Sequence, residues 1–400
     1  MGCSRRDFLT AAMIGSLSLN APAQAAKDLR RPKAPATLKV PIIVCANNGY
    51  DYLDDAYSFL TGGGDTLDAA IRVVKGAEDD PNETSVGLGG LPNEEGVVEL
   101  DACCMHGPTH RAGSVGAVRD IRSVALLSKC VMDHTGHVML VGDGAERFAV
   151  AQGFQKENLL TDSTRKIWLL WKETHSDWWG PGLADNDWKR RIKHGQQSDE
   201  WRLRIERMQQ IAADIGIAPD MQMSAINKVI HPPTGTIHCS ALAKSGEISG
   251  CTTTSGLAWK IPGRLGDSPI IGAGCFTDQF VGSAGATGSG EENIKIAACH
   301  TIVENMRHGM SPLDAGMDAL NRIVRNYNSD MERLRYVDVT YYILNINGDY
   351  AGVSLWEGYE PNKPHKIAVH DGVKRAEKTV NLFPGASNAW PPSPSDAPNI

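Results

Sequence analysis

Four absences bound this chain of 400 residues. Its amino-terminal apolar run, Leu9 to Leu19, is too short to span a bilayer as a permanent helix, so no stable membrane association is expected. Neither sign of charge dominates. The 40 Lys and Arg and the 47 Asp and Glu are interspersed and sum to −7, so no nucleic-acid partner is expected and the substrate should be a small molecule. No Cys-x-x-Cys pair occurs among the nine cysteines, and those after Cys3 are expected to be mostly buried free thiols. Cys103-Cys104-Met105-His106 with His110 is too closely spaced for a tetrahedral site, so no metal is expected. There is no internal repeat.

A composition of 42% hydrophobic and 22% charged residues describes a soluble globular protein with a large core rather than a disordered one. Residues 1–25 stand apart. Ser4-Arg5-Arg6-Asp7-Phe8-Leu9 is a twin-arginine signature, and Ala23-Gln24-Ala25 offers small residues at a signal-peptidase site. Cys3 precedes the apolar run, the wrong place for a lipoprotein cysteine. The expectation is a protein folded in the cytoplasm, exported to the periplasm or beyond, and trimmed after Ala25. A basic, proline-bearing linker covers 26–37.

Leu38–Cys45 reads as a buried strand, ending in a loop at Asn47-Asn48-Gly49. Gly62-Gly63-Gly64-Asp65-Thr66 supplies a breaker and a cap for a helix that carries Leu67, Ala70, Ile71 and Val74 on one face and stops at Asp79-Asp80-Pro81. Strands near Val97–Cys104 and Gly113–Val118, a helix near Ser123–Met132 and a strand at His137–Val141 continue the alternation. Residues 155–234 form a polar insertion with tryptophans from Trp168 to Trp201, one charged helical run at Glu200–Ala213, and a flexible tether at its end. Beyond it come hairpins at Thr236–Thr254 and Tyr336–Leu355, with helices Glu291–His308 and Ser311–Tyr327 between them. The segment 357–400 shows many prolines and no clear period, and is expected to be a surface tail.

Gly235-Thr236 marks an abrupt change from turn to strand. A threonine hydroxyl near pH 7 needs a base beside it, and the nearest is the residue's own α-amine, which only a cut of the Gly235–Thr236 bond would free. Three glycine- and threonine-rich motifs follow: Cys251-Thr252-Thr253-Thr254-Ser255-Gly256, then Gly263-Arg264-Leu265-Gly266-Asp267-Ser268-Pro269-Ile270-Ile271-Gly272-Ala273-Gly274, then Ala286-Thr287-Gly288-Ser289-Gly290-Glu291-Glu292. With Ser85-Val86-Gly87 and Val138–Gly144 in the first half, the chain resembles the glycosylasparaginase branch of the amino-terminal-nucleophile hydrolases over roughly 38–157 and 236–355.

The resemblance implies an α+β fold, a four-layer αββα sandwich, and a chain cut into an α subunit (38–235) and a β subunit (236–400). Thr236 is then nucleophile and base, and Thr254 supports its hydroxyl. Arg264 and Asp267 hold the substrate's α-carboxylate and α-ammonium, Thr287 and Gly288 form the oxyanion hole, and Ser85 is a further site serine. The guanidinium fork suits a carboxylate, and a carboxylate answers an ammonium. Substrate is expected to be a glycosyl-asparagine, with no cofactor, in a dimer of cleaved αβ units.

This chain departs from the pattern in three places. Gly235 stands where glycosylasparaginases carry Asp, so the carboxylate that assists self-cleavage there is missing. Asn47 stands where they place a substrate-contacting tryptophan, and His238-Cys239 replace Gly-Met. Two alternatives therefore remain: an isoaspartyl peptidase or L-asparaginase of the same fold, and an uncleaved exported binding protein that keeps an amino-acid pocket.

Overall fold

The first apolar run becomes strand β1 (Ile42–Ala46), whose five residues are all buried because it ends up inside a sheet. The computed structural model describes residues 39–175, 198–233, 235–360 and 362–387. The expected export signal and linker, Trp178, Trp179 and Trp188 of the insertion, and the end of the expected tail lie outside these residues. No helix among the described residues is long and apolar enough to cross a membrane.

In chain order the further strands are β2 (Leu100–His106), β3 (Arg111–Val118), β4 (Met139–Val141), β5 (Ile237–Leu242), β6 (Ile248–Thr254), β7 (Cys275–Asp278), β8 (Gly282–Gly288), β9 (Val339–Asn345), β10 (Tyr350–Glu360), β11 (Lys363–Pro364), β12 (Lys366–His370), β13 (Lys374–Lys378) and β14 (Val380–Ala386). One sheet has eight strands in the order β13-β12-β1-β5-β6-β2-β3-β4. The other runs β11-β10-β9-β8-β7, with β14 added in parallel to β10. The two sheets pack through β5, β6 and β2 on one side and β7, β8 and β9 on the other.

Helices close both outer faces. Before the insertion lie α1 (Leu53–Thr61), α2 (Thr66–Asp79), α3 (Val124–His134) and α4 (Gly142–Ala151). Asp65 caps α2 by accepting from the N–H groups of Leu67 (2.8 Å) and Asp68 (3.0 Å), a contribution of about 1 kcal/mol. Leu67, Ala70, Ile71 and Val74 then fall into one core with β1, β5 and β6. The insertion contributes α5 (Asp162–His175), α6 (Ser198–Asp214) and α7 (Pro219–Ile230), and the second half α8 (Gly290–Ile296), α9 (Ala298–Arg307) and α10 (Pro312–Asn326). Helices α9 and α10 seal the smaller sheet through Ile302, Ala319, Leu320 and Ile323. The result is the four-layer αββα sandwich.

Cys45, Cys239, Cys251 and Cys104 are direct register partners across β1, β5, β6 and β2. They are free thiols, small enough to let α2 and α3 lie close on the sheet.

The structure departs from the sequence reading in four places. The expected surface tail is sheet as far as Ala386: β12 pairs with β1 and buries Ile367, Ala368 and Val369, a run too short to show a period. Among the described residues the insertion has three helices around a core that includes Ile167, Leu170, Met208, Ile211 and Ile226 and takes in Leu91, and α7 reaches Ile230, so little tether remains before Thr236. The helix expected at Glu291–His308 breaks at Ala297, which is left-handed (φ 45°) and exposed. Finally, β7 and β8 form strands where none was expected, between and into the glycine-rich motifs. Strand β8 reads Gly-Ser-Ala-Gly-Ala-Thr-Gly because the facing sheet comes very close: a Cβ on Gly285 would lie 1.9 Å from the His238 ring.

Candidate active site

Thr236 sits one residue before β5, at the centre of the larger sheet, and register brings the end of β6 beside it. Its hydroxyl donates toward Thr254 Oγ1 (3.1 Å) and Gly235 O (2.8 Å). Thr254 Oγ1 in turn donates to the same carbonyl at 2.9 Å and accepts from Gly256 N–H at 2.9 Å. The carbonyl carbon ahead of Thr236 is thus polarised by one hydroxyl while a second lies against it.

Strand β8 ends opposite this point, delivering Thr287 and Gly288 from the smaller sheet. Thr287 Oγ1 shares a 3.0 Å hydrogen bond with Tyr342 on β9. Tyr342 stacks over His238 with ring centroids 6.2 Å apart, and His238 is held by Thr252 (2.8 Å) and Ser240 (2.7 Å). The residue that departs from the family pattern therefore packs behind the threonine at the end of β8.

Arg264 and Asp267 come from the loop between β6 and β7. They do not pair with each other. Arg264 forks onto both oxygens of Glu291 at the start of α8, at 2.7 Å each from Nη2. Asp267 is fully buried, accepts from Asn293 Nδ2 at 2.7 Å, and is pushed up to about 6 by that burial. An ammonium group arriving here would supply the countercharge that burial withholds.

Two cavities meet at Thr236. A niche of about 10 Å³, room for about one water, is lined by Gly235, Thr236, Thr254, Arg264, Asp267 and Gly288. A cavity of about 520 Å³ opens on the other side, walled by Asn47, Thr236, Thr287, Tyr342, Tyr359 and His365. Gly235 lines both. The niche presents the charges that answer the head of an amino acid but, with Gly235 in place, has room only for a water; the cavity has room for something much larger.

Of the residues singled out from sequence, Thr236, Thr254, Arg264, Asp267, Thr287 and Gly288 converge, and Asn47 joins the wall of the large cavity. Ser85 lies against Gly235, its carbonyl accepting from Ser255 N–H at 2.8 Å. Sequence reasoning missed Asn48, Glu83, Glu291, Asn293 and Tyr342. Glu291 stood inside a quoted motif and could have been found there as a partner for Arg264; the other four carry no local signal.

A family model described as asparaginase matches residues 45–332. The N(4)-(beta-N-acetylglucosaminyl)-L-asparaginase of Elizabethkingia miricola is 36% identical over 372 residues, 93% of each chain. The chain belongs to the asparaginase family. Within this family of hydrolases it is also similar to the rat N(4)-(beta-N-acetylglucosaminyl)-L-asparaginase, 32% identical over 72% of this chain and 78% of the relative. An Arabidopsis thaliana protein named probable isoaspartyl peptidase/L-asparaginase 3 is 29% identical over 78% of this chain and 84% of its own. Relatives of both substrate names thus match this asparaginase-family chain over most of its length.

Proposed function

We propose that the chain cuts itself between Gly235 and Thr236, and that Thr236 then hydrolyses the side-chain amide of N4-(β-N-acetylglucosaminyl)-L-asparagine to aspartate and the glycosylamine. The observation that carries this reading is the position of the Thr236 hydroxyl, against Gly235 O and Thr254 Oγ1 at the junction of the two cavities. Before the cut Gly235 fills that junction. After it, the Thr236 amine is free to act as base and then as acid.

The aspartyl head group would take the niche, its α-carboxylate on Arg264 and its α-ammonium on Asp267. Attack on the β-carbonyl places the developing oxyanion at the Thr287 hydroxyl and the Gly288 N–H. The leaving group would occupy the larger cavity. Its volume of about 520 Å³ exceeds what ammonia needs, which favours a glycosylamine over free asparagine as the source of the leaving group. Residues 1–25 would direct export, and two cleaved αβ units would form the dimer.

Thr236→Ala should abolish both the cut and the hydrolysis. Mass spectrometry of the purified protein and release of N-acetylglucosaminylamine decide it: a Thr236→Ala chain that still turns substrate over refutes the assignment. Rates on a β-aspartyl dipeptide measured alongside separate the isoaspartyl alternative, and a wild-type chain that stays whole and inactive would favour the binding protein.

A further inference from the structure

The residue before Thr236 has no room for a side chain. A Cβ on Gly235 would lie 1.7 Å from Ser85 Cβ and 2.1 Å from Ser85 Oγ. The space that a carboxylate at position 235 would enter is therefore already filled, and filled by a hydroxyl. That hydroxyl donates to Glu83 Oε1, as does the Ser85 N–H at 3.0 Å. The other Glu83 oxygen accepts from Asn48 Nδ2 at 3.4 Å, and the same Nδ2 lies 3.4 Å from Thr236 O. Asn48 Oδ1 is buried with no partner, so this bridge is held by its nitrogen alone. Hydrogen bonds thus tie one half-buried carboxylate to the peptide at Thr236, while Ser85, its partner, rests on Gly235. Lys228 of α7 and Tyr52 both feel its charge.

We propose that Glu83, acting through Ser85, takes the proton that Thr236 must lose in the self-cleavage step, replacing a carboxylate at position 235. This rests on the reading above that the chain cuts at Gly235–Thr236. Thr236 Oγ1, which rests on Thr254 and Gly235 O before the reaction, turns toward Ser85 and bonds to the Gly235 carbonyl carbon; its proton passes to Ser85 Oγ as the Ser85 proton passes to Glu83. Thr254, already on Gly235 O, steadies the oxyanion. The Gly235 C–N bond then breaks, with the proton returning by way of Ser85 to the departing amine. Water hydrolyses the resulting ester, leaving a Gly235 carboxylate and restoring the Thr236 hydroxyl. Glu83 is a positioning residue by this account, since Ser85 is the group beside the reacting peptide.

The test follows the first-order appearance of fragments from pulse-labelled full-length chain made by cell-free translation, read on denaturing gels. Glu83→Gln keeps an acceptor for both Ser85 donors but cannot accept a proton, so cleavage should slow by about 100-fold or more. Ser85→Ala should slow it similarly. Glu83→Asp should recover most of the rate, and added formate should speed Glu83→Ala but not Ser85→Ala. Thermal unfolding of each variant monitors folding, and formate rescue itself reports a folded site. Wild-type speed in Glu83→Gln, or a slow variant that neither Asp nor formate restores, overturns the proposal in favour of a structural role. A wild-type chain that never cleaves overturns the reading beneath it, and with it this one.

Discussion

Glu78 offers a quantitative test of the layer that supports Thr254. It lies in the last turn of α2 and is fully buried, with Oε1 accepting from Thr253 Oγ1 (2.7 Å) and Ala125 N–H (3.0 Å) and Oε2 left without a partner. Burial pushes its carboxyl up to about 8 from an ordinary 4.5, against the opposing pull of those two hydrogen bonds. At neutral pH the folded chain therefore holds a proton that the unfolded chain has lost. The sign follows: the contribution is fully present below 4.5 and is lost as pH rises toward about 8, at about 1.4 kcal/mol per pH unit and about 4–5 kcal/mol in all. Glu78→Gln keeps the acceptor and removes the titration. Urea unfolding of wild type and Glu78→Gln, both in a Thr236→Ala background so that each is one chain, should show the variant gaining about 3 kcal/mol on the reference between pH 5.5 and 8. A difference that stays flat across that range would mean that Glu78 carries no such proton, and the argument from burial would fail.

Arg264→Lys replaces a fork by a point charge and should lower kcat/KM for glycosyl-asparagine about 10- to 100-fold, checked by steady-state kinetics. Because burial lifts Asp267 to about 6, its charge is lost as pH falls through that value, so kcat/KM should drop tenfold per pH unit below about 6; Asp267→Asn should remove that dependence along with most binding. Gly235→Ala drives a methyl into Ser85 at 1.7 Å, so its scission-site peptide must move and fragment formation on denaturing gels should slow at least about 10-fold.

The site was legible where the chemistry is carried by contiguous motifs at strand ends. Thr236, Thr254 and Thr287 each close or precede a strand, so motif spacing reported their convergence even though the strands themselves were partly unread. Strand β8 was not legible as a strand, because its residues are chosen for the thinness of the layer between the sheets and not for β propensity: His238 occupies the space that a side chain on Gly285 would need. Strand β12 was missed for the opposite reason. Ile367-Ala368-Val369 is too short a run to announce itself, and only pairing with β1, far away in sequence, buries it. Asn48 was invisible because its importance lies in meeting Thr236 across a long sequence separation, and Glu83 because it reaches that peptide only through Asn48 and Ser85.

The sheet order also decides what a cut at Gly235–Thr236 could do. Strands β1 to β4 precede the cut and β5 to β14 follow it, yet the larger sheet interleaves them: β1 lies between β12 and β5, and β2 lies beside β6. Three ladders, β12 with β1, β1 with β5 and β6 with β2, therefore hold the two pieces together, and shared cores beneath α2 bury Ile43, Val44, Ile237 and Cys239 in one cluster. Separation would expose strands on both sides, at a cost comparable to unfolding the domain. A new amino terminus at Thr236 would be fixed for the same reason, because β5 is paired on both edges. The pieces should therefore elute together under native conditions and part only in denaturant. If size-exclusion chromatography without denaturant resolves the two fragments, the interleaved sheet is wrong, and so is the claim that Thr236 stays at the junction of its cavities once freed.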